Sequence, residues 1–113
     1  MSQKLPTRDF TESLNQYRRE LDALDAQLVS VLAARFAITR RIGALKAAHG
    51  VAAADPAREQ TQLERLLSLS GGLDLPADLT RAIYDSLFRF VRESHRAQAA
   101  SVTVDFAEVE SEP

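Results

Sequence analysis

Apolar side chains recur over the first half of the chain in alternating steps of three and four residues, which is the spacing of one face of an α-helix. The positions are Leu14, Tyr17, Leu21, Leu24, Leu28, Val31, Ile38, Ile42 and Leu45. This pattern predicts one long helix from about Phe10 to His49. At about 1.5 Å per residue, roughly 38 residues form a rod approaching about 60 Å.

Two shorter helices are predicted in the second half of the chain. Asp55 suits an N-cap and Pro56 suits the first helical position, so the second helix begins there. It ends near Ser70, ahead of Gly71-Gly72. After a short connection the helical spacing resumes and predicts a third helix that runs to about Ser101. Its apolar positions are Leu79, Ile83, Leu87, Phe90 and Val91.

The two ends of the chain lack helical periodicity. Residues 1–9 and the acidic stretch 102–113 are therefore predicted to be loose. Within the second stretch, Val102, Val104 and Phe106 alternate as they would in a short extended segment.

The chain has the length of one ordinary domain. Its 113 residues predict a single domain, 1–113, with a helical core over about 10–101 and no room for a separate cofactor domain. Only four glycines and four prolines are present, which favours an all-α protein. Fourteen Lys and Arg against 16 Asp and Glu leave a net charge of -2, which gives no reason to expect nucleic acid as a partner.

Several classes of protein are disfavoured by what the sequence lacks. There is no cysteine, which excludes disulfides, thiolate chemistry and cysteine-ligated metal. The first residues lack the apolar run of a signal peptide, and no apolar stretch approaches the roughly 18 residues of a membrane span. We therefore expect a cytoplasmic protein that does not bind a membrane.

The long helix also predicts an assembly. Two shorter helices cannot cover so long an apolar stripe, so the remainder should be buried against another chain. A two-fold pairing of long helices satisfies this, and we expect an intertwined homodimeric helical bundle with three helices per chain. The competing interpretation is a piece of a longer coiled coil. The third helix argues against it, because this helix is also apolar on one side and needs a partner of its own.

Three basic residues of the long helix are candidates for binding an anion. Arg35 stands where an apolar residue is due, and a buried guanidinium needs either a protein carboxylate or an anionic ligand. Lys46 lies three turns further on, near the same face, although a solvated helix end also explains it. Arg18 is roughly 25 Å from Arg35, so only the Arg18 of a second chain can reach the same pocket; alone, Arg18 is a surface charge.

The third helix carries polar residues on its predicted inward face. The series of Ile83, Leu87 and Phe90 continues into Ser94 and Gln98, which points a hydroxyl and an amide inward. A helix end that frays into solvent is the alternative. His95 and Arg96 fall off this face and are predicted to be solvated, with no catalytic role for His95.

The start of the second helix is the last polar cluster. Asp55 has a local explanation as the N-cap. Glu59 suits the first turn of a helix, whereas Arg58 opposes the helix dipole there, so Arg58 needs a nearby anion or carboxylate.

Together these residues resemble the pocket of the all-helical chorismate mutases of the AroQ class, over about Leu14 to Gln98. The matching positions are Arg18 ahead of Leu24-Asp25, Arg35 after Val31-Leu32-Ala33-Ala34, then Lys46, Asp55, Arg58, Glu59, Ser94 and Gln98. Eight polar residues coincide with the correct helices, which makes the resemblance specific. It implies a chorismate mutase that converts chorismate to prephenate in phenylalanine and tyrosine biosynthesis, without metal or cofactor.

One departure from the family lies between the second and third helices. The turn from Ser70 to Asp78 is a few residues longer than the family's compact form. Placing Ser94 and Gln98 in the pocket requires the loop to absorb this length. An alignment without the insertion brings Phe90 and Ser94 to the pocket instead, and a Phe side chain cannot donate the needed hydrogen bonds.

The resemblance implies a role for each residue. Arg35 and the partner subunit's Arg18 bind the two substrate carboxylates. Lys46 and Gln98 meet the ether oxygen as negative charge develops there.

The same resemblance assigns the remaining residues to the two ends of the substrate. Glu59, with Arg58, addresses the ring hydroxyl. Asp55 and Ser94 shape the end where a carboxylate binds. The catalytic set is thus Lys46, Gln98 and Glu59, and the others bind substrate.

Three alternatives stay open. An isochorismate pyruvate-lyase is similar in fold and cationic pocket, although Glu59 favours the mutase. A mutase of 4-amino-4-deoxychorismate is compatible with the same residues. A non-catalytic helical dimerisation module would use its polar seam residues only to set the register.

Overall fold

Within the described residues, the chain forms three α-helices and no strand. The computed structural model describes residues 8–111, with side chains over 9–102. Helix α1 spans Arg8–Ala48, α2 spans Pro56–Gly72 and α3 spans Ala77–Ser111. The predicted all-α fold, with one long helix, is confirmed. None of the helices contains a stretch both long and apolar enough to cross a bilayer within the described part of the chain.

The connection from α1 to α2 is held by backbone hydrogen bonds at its first residues. Gly50 has a φ of 66°, in the left-handed region that favours glycine. Beyond it, the Val51 N–H donates to the carbonyl of Lys46 at 2.9 Å, a bond that closes the end of a helix. The turn at Gly50 therefore follows the end of α1. The last helical residue is Ala48, one residue before the predicted His49.

Helix α2 begins at the predicted cap. The Asp55 carboxylate accepts a hydrogen bond of 3.1 Å from the Arg58 backbone N–H, and Pro56 is the first helical residue. The helix ends at Gly72, two residues beyond the predicted Ser70, and the Leu73 N–H donates to the Ser70 carbonyl at 3.1 Å. The predicted start is confirmed in its atomic detail.

Two buried hydroxyl groups join the end of α2 to the start of α3. The Ser70 and Thr80 hydroxyl oxygens lie 2.5 Å apart, and Ser70 also donates to the carbonyl of Leu66 at 2.9 Å. Asp74, in the short connection between the helices, has a positive φ of 57°. Asp is one of the few residues that tolerate this conformation in a turn.

Helix α3 is longer than predicted. It continues to Ser111 instead of ending near Ser101, so the extended segment expected at Val102 to Phe106 was wrong. The reason is that no glycine or proline occurs between Ala77 and Pro113, and β-branched residues lower helix propensity only slightly. Residues 1–7 and 112–113 of the predicted loose ends lie outside the described residues.

The chain divides into two compact units, residues 1–35 and 36–113. In the described part of the first unit, the apolar series of α1 is exposed, from Tyr17 at 68% to Val31 at 63%. In the second unit, Leu63 of α2 and Phe88 of α3 are buried. The Tyr84 and Phe88 rings lie 6.0 Å apart at an interplanar angle of 50°. The expectation of a single domain over 1–113 stays a prediction.

Helix α3 buries a different face from the predicted one. Ile83 is 43% exposed and Phe90 is 60% exposed, whereas Phe88 and His95 are buried. The physical reason is that α3 is apolar over a wide arc: a helical period identifies the arc but not the part of it that neighbouring helices cover. The predicted inward series at Ile83 and Phe90 was therefore wrong for the chain by itself.

Candidate active site

The basic end of α1 lies against the connection to α2. Lys46, in the last turn of α1, is half-buried, and its Nζ donates to the carbonyl of Ala53 at 3.5 Å. The simpler interpretation of Lys46 as a fully solvated helix end does not describe this position. Asp55 follows two residues after Ala53 and is exposed, with one carboxylate oxygen used as the cap of α2.

The first turn of α2 presents Arg58 and Glu59 in different surroundings. Arg58 is exposed, and its backbone N–H is the donor to Asp55. Glu59 is half-buried and forms an ion pair with Arg92 of α3, with 2.5 Å between Oε1 and Nη1. Glu59 thus joins α2 to α3. The contact of Arg58 with the Asp55 carboxylate is made by its backbone N–H, so a carboxylate or anion near its guanidinium group stays a prediction.

Arg92 is the residue of this cluster that the sequence reasoning missed. It lies four residues after the buried Phe88, and so on the same face of α3. Had Phe88 been taken as a core position, Arg92 would have followed as a charged residue close to the core. The predicted inward series, which begins at Ile83, lies on another face of α3.

Ser94 and Gln98 line the same groove. Both are half-buried, and the groove has a volume of about 420 Å³. Its other lining residues are Arg40, Ala44, Ala47, Ala97, Ser101 and Val102. Because α3 continues well beyond Gln98, the alternative of a fraying helix end at these residues was wrong.

Gln98 is held by α1 through one side of its amide. Its Nε2 donates to the Arg40 carbonyl at 2.9 Å. Its Oε1 is buried and has no hydrogen-bond partner among the described residues. A buried acceptor without a partner costs about 1–3 kcal/mol, so this amide gains free energy from any change that supplies a donor.

His95 of α3 packs against α1, near Thr39 and Gly43. It is only 5% exposed, and its Nε2 lies 2.8 Å from the Thr39 carbonyl. A Cβ on Gly43 would lie 2.5 Å from Cδ2 of His95 and 2.9 Å from Cδ of Gln98. The expectation that His95 is solvated was wrong, because α3 turns this face toward α1. Arg96, next to it, is exposed as expected.

The structure brings the predicted residues of the second unit into two groups. Lys46 lies near the start of α2, where Asp55, Arg58 and Glu59 follow. Ser94 and Gln98 form the other group. Within the described part of the chain, no hydrogen bond joins Lys46 to Ser94 or Gln98.

The two remaining predicted residues belong to the first unit. Arg18 is exposed and Arg35 is half-buried. Their assignment to one pocket with the residues of the second unit stays a prediction.

Comparison with known families identifies the chain. The family model described as chorismate mutase type II matches residues 17–96. The chain belongs to the chorismate mutase type II family. The matched range contains every predicted site residue except Gln98, which lies two residues beyond it.

A curated relative is similar to most of the chain. The chain is 38% identical over 88 residues to a protein named T-protein from Haemophilus influenzae. The aligned part is 76% of this chain but 22% of that relative, so this chain spans about a fifth of the relative's length. The resemblance found in the polar residues is confirmed at the level of family.

No group of three or more His, Cys, Asp or Glu side chains in the described residues is arranged to hold a metal ion.

Proposed function

We propose that this protein catalyses the Claisen rearrangement of chorismate to prephenate. The observation that carries the proposal is the family match over residues 17–96, because it spans all but one of the polar residues selected for this chemistry. In this reaction one ether bond breaks as one carbon–carbon bond forms within the same molecule. The residues need to bind, orient and stabilise charge, without a nucleophile or a transferred group.

The substrate carboxylates are the first point of binding. Arg35 and Arg18 of the partner subunit bind these two groups, because planar guanidinium groups form strong paired hydrogen bonds with carboxylates. Asp55 and Ser94 shape this end of the site. Holding both carboxylates confines the enolpyruvyl arm over the ring and removes part of the entropic barrier.

Charge stabilisation at the ether oxygen is the second contribution. Lys46 and Gln98 donate to this oxygen as it becomes negative. One such donor is typically worth about 3 kcal/mol. The Gln98 amide donates one N–H to the Arg40 carbonyl, and its second N–H is the donor to the ether oxygen. Glu59, with Arg58, addresses the ring hydroxyl.

A second copy of the chain completes the proposed site. Over residues 9–31 of α1, the large apolar side chains that are more than half exposed are Phe10, Tyr17, Leu21, Leu24, Leu28, Val29 and Val31. Exposed apolar surface of this extent marks a protein interface. A homodimer of paired long helices covers this surface and supplies the partner's Arg18. The proposed setting is the cytoplasm, in phenylalanine and tyrosine biosynthesis.

The test is an absorbance assay of the purified protein with chorismate. Prephenate is confirmed by its acid conversion to phenylpyruvate, and isochorismate and the 4-amino analogue are assayed in parallel. We expect the wild-type protein to form prephenate. The rate of Arg35→Ala should be at least about 100-fold lower, because removing one donor to a bound or developing charge typically has an effect of this size. Arg41→Ala removes an exposed arginine of the same helix and is the matched control.

The alternative functions correspond to different results. Pyruvate from isochorismate, without prephenate, identifies the lyase. Turnover restricted to the amino analogue identifies the other mutase. No turnover of any of the three, from a folded dimer, identifies a helical dimerisation module.

A further inference from the structure

Helices α2 and α3 run antiparallel, with a polar contact near each end of their interface. Ser70 contacts Thr80 at the turn, and Glu59 contacts Arg92 at the far end. Leu63 and Phe88 lie one helical turn from Glu59 and Arg92, and both are buried. The backbone positions of the ion pair are therefore set by the packed hairpin and not by the ion pair alone.

The ion pair is partly shielded from water. The side chain of Arg92 is 33% exposed and that of Glu59 is 24% exposed. An interaction of this kind is stronger than one on an open surface, because water screens the charges less. Losing Arg92 leaves the Glu59 carboxylate with no cation bonded to it in the described part of the chain. It would then turn toward solvent to recover its hydration.

The contact uses one carboxylate oxygen. Arg92 Nη1 donates to Oε1 of Glu59, and Oε2 makes no hydrogen bond within the described residues. A carboxylate held at one oxygen by a guanidinium keeps the other oxygen available as an acceptor. This arrangement suits a group that accepts a hydrogen bond from a hydroxyl.

We propose that Arg92 is a positioning residue of the mutase, which holds Glu59 by Oε1 so that Oε2 accepts the hydroxyl on the substrate ring. The inference rests on the proposed function, in which Glu59 addresses that hydroxyl. Arg92 itself does not touch the substrate. It acts by confining a flexible side chain to one orientation before the substrate binds.

The test is a double-mutant cycle on the full chain. Initial rates with chorismate are measured for wild type, Arg92→Ala, Glu59→Gln and the double variant. Arg92→Lys serves as the conservative replacement, and Arg89→Ala removes an exposed arginine one turn earlier on α3 as the control. Thermal unfolding followed by circular dichroism is recorded for every variant.

A second substrate separates positioning from general packing. Chorismate methylated on its ring hydroxyl cannot donate a hydrogen bond to Glu59, so the benefit of a correctly held Oε2 is absent with this compound. A purely structural role of Arg92 would lower the rates with both substrates equally.

The expected result is a loss of about tenfold in kcat/KM for chorismate in Arg92→Ala, partly restored in Arg92→Lys and absent in Arg89→Ala. In the Glu59→Gln background the same change should have little further effect, and with the methylated substrate the wild type and Arg92→Ala should react at similar rates. Equal losses in both backgrounds, or equal losses with both substrates, would overturn the role of Arg92. Wild-type protein that forms no prephenate would instead overturn the proposed function, and this role with it.

Discussion

The first part of α1 and the hairpin of α2 and α3 both carry apolar residues at helical spacing, yet only the hairpin covers them within the chain. Leu24 of α1 is 59% exposed, whereas Leu63 of α2 is 7% exposed. Polar contacts differ in the same way. The hairpin has a buried hydroxyl pair and a half-buried ion pair across its helices. The hydrogen bonds between side chains in the first part of α1 join exposed neighbours, such as Arg19 to Gln16 at 2.8 Å.

This difference shows that a helical period identifies a face that can be buried. Whether the face is buried depends on a neighbouring helix that covers it. In the hairpin the neighbour is the same chain. In the first part of α1, the proposed neighbour is a second copy. The comparison can be tested by changing one residue at a time in each region.

The largest effect is expected for Leu28→Glu, in the exposed series of α1. A charge in a paired apolar seam is desolvated without a partner, so the dimer should dissociate. In the proposed site the partner subunit contributes Arg18, so loss of the dimer should lower the activity by about 100-fold or more. Analytical ultracentrifugation and the chorismate assay measure the two effects. Gln27→Glu adds the same charge at a neighbouring exposed position and should stay dimeric and active. A dimer that survives Leu28→Glu unchanged would show that this seam is not the interface.

The next effect concerns the core of the hairpin. Phe88→Ala should lower the free energy of unfolding by about 3–5 kcal/mol, because it removes a buried ring and leaves a cavity. Phe90→Ala removes the same ring two residues later, at an exposed position, and should cost about 1 kcal/mol or less. Urea denaturation followed by circular dichroism measures both. An equal loss of unfolding free energy in the two variants would mean that Phe90 is also covered in the protein in solution. The difference in burial between the two faces of α3 would then hold only for an isolated chain.

The smallest effect is expected at Gly43, where α1 lies beside His95 and Gln98 of α3. Gly43→Ala places a Cβ against His95 and Gln98, so it should lower the free energy of unfolding by about 1–3 kcal/mol. Gly71→Ala is the matched control, because a Cβ there meets nothing within 4 Å, and it should stabilise α2 by about 0.5–1 kcal/mol. Thermal unfolding compares the two variants. A neutral Gly43→Ala would mean that the two helices separate at little cost.

Much of the candidate site could be predicted because its signals are local or follow a family spacing. Asp55 as the cap of α2 depends on residues within one turn, and the structure confirms it. The grouping of Ser94 with Gln98 follows from a separation of four residues on one helix. The burial of His95 and the ion pair of Arg92 could not be predicted in the same way, because each depends on a residue more than thirty positions away.

The sequence alone determined that the chain is all-α, where α2 begins, where the connections lie and which polar residues match the chorismate mutase family. These properties depend on backbone propensities, caps and spacings, which act over a few residues. Only the tertiary structure decided which arc of α3 is covered, and so placed Arg92 on Glu59 and His95 against Thr39. A wide apolar arc offers several packings of similar hydrophobic gain, and the contacts between helices select one of them.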